Sequence, residues 1–229
     1  MFLVAAAVSL CLMFWVDTYA WFVRSNALSN GSARVIAKSN LIMYSSRAFA
    51  FVFQFSIAYY LEAFKLSAGI FEISLIGFFL AALIHFTTFY CEAPRRHSWR
   101  AIVFQLTAIR RWDSQIMNIE LPPVKPWKWT KLTMATAAST AIFGMALAIP
   151  YLLAFRNPDY RLTYGSLIQL LNFLGTLFLL YFVDPILYKR MDEGTLRETI
   201  YEYISGRIFG FFISFSLILV VFIIFGRDN

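Results

Sequence analysis

The sequence predicts an all-α, polytopic membrane protein with six transmembrane helices, and three observations predict it. First, 60% of the 229 residues are hydrophobic and 14% are charged, far from the roughly 45–50% and 25% of soluble domains. Second, the apolar runs are continuous for about 20 residues, the length a helix needs to cross a hydrocarbon core. A β-barrel would instead alternate polar and apolar residues along each span. Third, 25 Phe, 12 Tyr and 6 Trp exclude a disordered chain, and two cysteines exclude a disulfide scaffold.

The spans fall near 2–23, 40–63, 67–91, 132–154, 162–183 and 208–226, in a single integral membrane domain covering 1–229. The first reads as a retained helix rather than a signal peptide, because Met1-Phe2-Leu3-Val4 carries no basic residue ahead of the apolar run. Between the spans, loops one, three and five hold fifteen of the 20 Lys and Arg. The positive-inside rule therefore predicts these loops in the cytoplasm and both termini outside. Loop three carries a pattern of its own. Trp99, Ile102, Val103, Leu106 and Ile109 recur at helical spacing opposite Arg96, Arg100 and Arg110, which suits an amphipathic helix in the headgroup layer, in contact with anionic lipids. Pro122-Pro123-Val124-Lys125-Pro126-Trp127-Lys128-Trp129 is too rich in proline to be helical and reads as an interfacial anchor before span four.

Ionisable residues inside a span cost about 2.5–3.5 kcal/mol or more and mark a partner or a pathway. Arg47 lies about 10 Å into span two. Asp17, seven residues before Arg24 at the end of span one, is at similar depth and within reach of pairing with Arg47. A structural ion pair and an arginine aimed into a hydrophilic cavity are both open, and they are compatible because a guanidinium has donors to spare. Phe14-Trp15-Val16-Asp17 and Ser45-Ser46-Arg47-Ala48-Phe49-Ala50-Phe51 have counterparts in Tyr181-Phe182-Val183-Asp184 and Ser205-Gly206-Arg207-Ile208-Phe209-Gly210-Phe211. These matches suggest a parallel repeat of spans 1–2 and 5–6. Glu62 and Glu72 read as interfacial acids, and Gln54, Gln169 and Asn172 as interhelical hydrogen-bond partners. His85 is a weaker candidate, as a proton carrier.

Several chemistries have no support. There is no P-loop, His-Glu-x-x-His or Gly-x-Ser-x-Gly motif, and two histidines give little basis for metal-assisted catalysis. The chain reads as neither an enzyme nor a cofactor or metal binder. Its net charge of +7 is dispersed over membrane-flanking loops, which requires no nucleic-acid partner.

Asp17-Thr18, Arg24, Arg34, Ser46-Arg47 and Gln54, followed by Val183-Asp184-Pro185, Asp192, Gly194, Arg207 and Gly210, resemble the signature of the Amj-type lipid II flippases. Asp17 stands where that family usually has Glu, and Ala50 where it has Asn. The resemblance implies a bacterial cytoplasmic (inner) membrane protein that moves a polyprenyl-diphosphate-linked sugar lipid, such as lipid II or a related cell-envelope precursor. It implies that Arg24, Arg34, Arg47 and Arg207, with Asp17, Asp184 and Gln54, line a hydrophilic cavity where guanidinium groups bind the diphosphate. Two other readings stand beside it. One is a non-catalytic assembly or scaffold subunit whose charges tie helices together. The other is a small-solute channel or carrier lined by Gln54, Glu72, Gln169 and Asn172.

Overall fold

The computed structural model describes residues 2–25, 32–64, 68–90 and 127–225. All its regular elements are helical. They are α1 (Phe2–Arg24), α2 (Ser32–Phe64), α3 (Ala68–Tyr90), α4 (Lys131–Arg156), a 3-10 turn (Pro158–Tyr160), α5 (Arg161–Phe178), a π-turn (Leu179–Val183), α6 (Asp184–Asp192) and α7 (Leu196–Phe225). Six stretches are long and apolar enough to cross a membrane, as the composition predicts: Leu3–Arg24, Ser39–Tyr60, Gly69–Tyr90, Lys131–Ala154, Leu162–Asp192 and Leu196–Ile224. The chain is a multi-pass membrane protein. The amphipathic segment 97–112 and Cys91 lie outside the described residues.

Three boundaries differ from the sequence reading, for one physical reason. A helix does not stop where its side chains stop being apolar, because its backbone hydrogen bonds continue wherever no residue breaks them. Helix α2 begins at Ser32, so Arg34 and Lys38 belong to its first turns rather than to a loop. Helix α7 begins at Leu196, so Arg207 lies well inside span six rather than at its mouth. Span five runs to Asp192, carrying Asp184 into the helix. The π-turn at Leu179–Val183 widens the backbone just before Pro185, which lacks an N–H and sits in the first turn of α6. Such insertions re-aim a helix without ending it. Gly194, in the left-handed region at φ 72°, then turns the chain into α7.

Helix α1 packs between α2 and α3, α7 packs between α3 and α4, and α5 lies on the far side of α4. Helices α2 and α5 are thus the edges of the bundle. Span two lies along span one, whereas α5 lies chiefly along α4 and the short α6 lies against α7. Two buried clusters fill the interior. One, at the end where α1 finishes and α7 begins, contains Trp15, Tyr19, Trp21, Leu187, Ile200 and Tyr203. We call this the basic end, after Arg24, Lys131, Lys189 and Arg190. The other cluster, towards the opposite end, contains Leu10, Phe14, Phe53, Phe78 and Phe211. At the basic end Trp127 and Trp129 pack on the Phe209 ring at 4.6 and 4.3 Å, consistent with the predicted anchor. Thr130 caps α4 through Thr133 N and donates to Glu202 Oε2 at 2.8 Å, fixing the start of α4 to α7.

Small residues bring α4 and α7 together. A Cβ added to Gly206 would lie 2.6 Å from the Thr133 carbonyl oxygen, and one on Gly210 would lie 2.4 Å from Thr140 Cβ. Apolar lipid gives helices little hydrophobic reason to associate, so close backbone approach supplies the attraction. We predict that Gly210→Leu costs about 1–3 kcal/mol by overpacking, read as a lower Tm in detergent. Gly165→Ala, with nothing within 4 Å of the added Cβ, is expected to keep or slightly raise Tm, because alanine is the better helix former.

Candidate functional site

Four of the charged residues singled out in the sequence converge at the basic end. Asp17 and Arg24 are seven residues apart, two helical turns, and so share a face of α1. Arg207 comes from α7, and Asp184 opens α6 directly after the π-turn. The two acids and two arginines arrive from opposite ends of the chain.

One pair is closed. Arg207 Nη2 makes an ion pair with Asp17 Oδ2. Its Nε and Nη2 also donate to the Tyr203 hydroxyl at 3.0 and 2.7 Å. Arg207 is 4% exposed, while the Asp17 side chain keeps 26% exposure. The Phe14 and Tyr203 rings lie 5.8 and 5.3 Å from the guanidinium carbon, adding cation–π attraction. The pairing of Asp17 with Arg47 considered from sequence is not formed. Helix α2 turns Ile42, Ser46, Phe53 and Ile57 into the interior, and Arg47 stands on its exposed side.

The other pair is open. Arg24 is buried, yet among the described residues its hydrogen bonds go to neutral groups: Nε donates to Ser39 Oγ at 2.8 Å and Nη2 donates to Asn40 Oδ1. Trp21 covers one face of its guanidinium at 4.4 Å. Asp184 acts on Arg24 electrostatically without forming an ion pair with it. Among the described residues, the half-buried Asp184 carboxylate has no hydrogen-bond partner. Tyr203 belongs to the closed pair, its hydroxyl receiving two donors of Arg207.

Beside the closed pair lies His85, fully buried. Its Nδ1 lies 2.7 Å from the Ala81 carbonyl and its Nε2 lies 2.8 Å from Thr18 Oγ1. Its ring also contacts Phe211, 4.9 Å between centroids. Because Thr18 follows Asp17, the histidine neighbours the site without joining the Asp17–Arg207 ion pair.

No protein-family model, curated protein or solved structure matches this chain. Geometry therefore carries the assignment. Among the described residues, no group of three or more His, Cys, Asp or Glu could hold a metal ion.

The remaining predicted positions are distributed differently. The Arg34 side chain lies outside the described residues. Arg47 is exposed on α2 with no hydrogen bond or ion pair to any described residue, and Gln54 is half-exposed two turns further along. The four polar groups of the pore reading stand on α2, α3 and α5, which do not pack broadly on one another. Glu72 and Gln169 point outward. Tyr203, Ser39 and Asn40 were missed in the sequence. Tyr203 had a usable signal, lying four residues before Arg207 on one helix face. Ser39 and Asn40 had none, because their partner depends on how α2 folds back along α1.

Proposed function

We propose that this chain moves a polyprenyl-diphosphate-linked sugar lipid across the cytoplasmic membrane of a bacterium, with the basic end facing the cytoplasm. The observation that carries the reading is the convergence at one end of the spans of a closed Asp17–Arg207 ion pair and of Arg24, whose described hydrogen bonds go to neutral groups, near the carboxylate of Asp184. Arg24 holds its charge on neutral partners that a stronger acceptor can displace. A diphosphate is such an acceptor, since charge-assisted bonds to a guanidinium are about twice as strong as neutral ones. Asp184, facing it, repels the arriving anion and so limits how tightly it is retained. Asp17, partly exposed, is the point at which the closed pair can be reached and opened. A diphosphate shared between Arg24 and Arg207 would free Asp17, whose charge then adds to that of Asp184 in limiting retention. Outward movement of an anion is favoured by an inside-negative potential, by about 2.3 kcal/mol per charge per 100 mV. ATP is not required by this scheme.

The burial of Arg207 favours a second reading, in which the charges only pin helices in an assembly subunit. Translocation separates the two. In vesicles containing the purified protein and a fluorescent polyprenyl-diphosphate disaccharide, Arg24→Gln is expected to lower the crossing rate at least tenfold, the loss of one charged hydrogen bond or more. A wild-type rate in that variant rejects the transport reading.

A further inference from the structure

Helix α2 carries a polar ladder that neither acid–arginine pair uses. Asn40, Arg47 and Gln54 follow one another at intervals of seven residues, two turns, and therefore stand in a row along one flank, about 10 Å apart. Asn40, at the foot, accepts from Arg24. Arg47 is exposed, Gln54 is half-exposed, and neither has a polar partner among the described residues. Beside this row runs an outward aromatic stripe. Tyr44 is 66% exposed and Phe51 68%, and Phe51, Phe55 and Tyr59 stack in succession at 6.2 and 6.4 Å. Helix α2 is an edge of the bundle, with one face covered by α1.

The depth of Arg47 identifies what this flank meets. The span Ser39–Tyr60 has its midpoint between Phe49 and Ala50, so the Arg47 backbone lies about 4 Å from it. Phosphates of resting lipids begin about 15 Å from the middle of the bilayer. An arginine with no polar partner among the described residues is costly there, and it is well placed for a phosphate only while a headgroup is crossing. We infer that the Asn40–Arg47–Gln54 flank of α2 is the track along which the diphosphate headgroup crosses, with the prenyl chain lying on the Phe51–Phe55–Tyr59 stripe. This rests on the transport reading and adds the route: lateral, on the outer face of one helix, from Arg24 at its foot to Gln54 beyond the midpoint.

The test uses the full chain in vesicles with the fluorescent polyprenyl-diphosphate disaccharide, measuring binding and crossing separately. Arg47→Gln is expected to slow crossing about 10- to 100-fold, the loss of a charge-assisted contact, while lowering binding far less. Arg47→Lys is expected to recover part of the rate. A benzophenone side chain at Phe51 is expected to capture the probe. Because Arg47 touches no polar partner among the described residues, Arg47→Gln should elute in size-exclusion chromatography like the wild type. If the wild type neither binds nor moves the probe, the transport reading fails and the track falls with it. If the wild type moves the probe and Arg47→Gln moves it equally fast, only the track is overturned. Capture of a second copy of this chain at Phe51, in place of the probe, likewise overturns the track and makes the flank a protein interface.

Discussion

Asp17→Ala is expected to destabilise the protein by about 3–5 kcal/mol, the usual consequence of removing one member of a buried ion pair. The loss is large because of what remains. Arg207 is 4% exposed, and an arginine holds its proton far more firmly than other bases, so its charge is not readily relieved by deprotonation. Tyr203 would still accept two of its hydrogen bonds, but a neutral hydroxyl does not balance a cation. Arg207→Met is expected to cost less, because the Asp17 side chain retains 26% exposure and water can reach it. Thermal unfolding in one detergent, with both single variants run beside the wild type, measures the order. An Asp17→Ala protein as stable as Arg207→Met would mean that the guanidinium is solvated in a way its burial does not allow.

The second large effect separates structure from transport. Replacing both partners by apolar residues, Asp17→Leu with Arg207→Met, removes the buried charges together. Such replacements are often neutral or stabilising by about 1–4 kcal/mol. The double variant is therefore expected to fold at least as well as the wild type while its crossing rate for the fluorescent polyprenyl-diphosphate disaccharide falls at least tenfold, as expected for loss of charged contacts. A helix-pinning role predicts the opposite, because an apolar seam pins helices as well as an ionic one. If the double variant is stable and still moves the probe at the wild-type rate, Asp17 and Arg207 are structural, and transport would have to rest on Arg24 and α2 alone.

The closed and open pairs also account for the oddities of span five. The sequence reading ends span five at residue 183, just before Asp184-Pro185. The π-turn at Leu179–Val183 absorbs the missing backbone donor, so α6 continues. Leu187 is then fully buried, and Tyr188 meets Trp21 at 5.6 Å. That docking brings Asp184 into range of Arg24. With a straight continuation of α5, a helix largely exposed along its length, the acid would not be drawn to α1 in this way.

What the sequence determined alone is the membrane, the number of crossings and the kind of residue worth watching. Each depends on local quantities: the length of an apolar run, and the energy of placing one charge in hydrocarbon. Asp17 was legible as a candidate for that reason, whereas Arg24, Asp184 and Arg207 entered through the suggested repeat and the family resemblance. The tertiary structure decided which charge meets which. Asp17 closes on Arg207, 190 residues away, and leaves Arg47, at similar depth one helix away, on an outer face. That choice depends on the order in which helices pack and on the rotation of each about its axis. The rotation of α7 is set by the approach of Gly206 and Gly210 to α4, and that of α2 by Phe53 and Ile57 against the interior. A difference of one residue turns a helix by about 100°, enough to move an arginine from a sealed pair to open membrane. Spacing along a chain records depth well, but the facing of helices is fixed only when their side chains interlock.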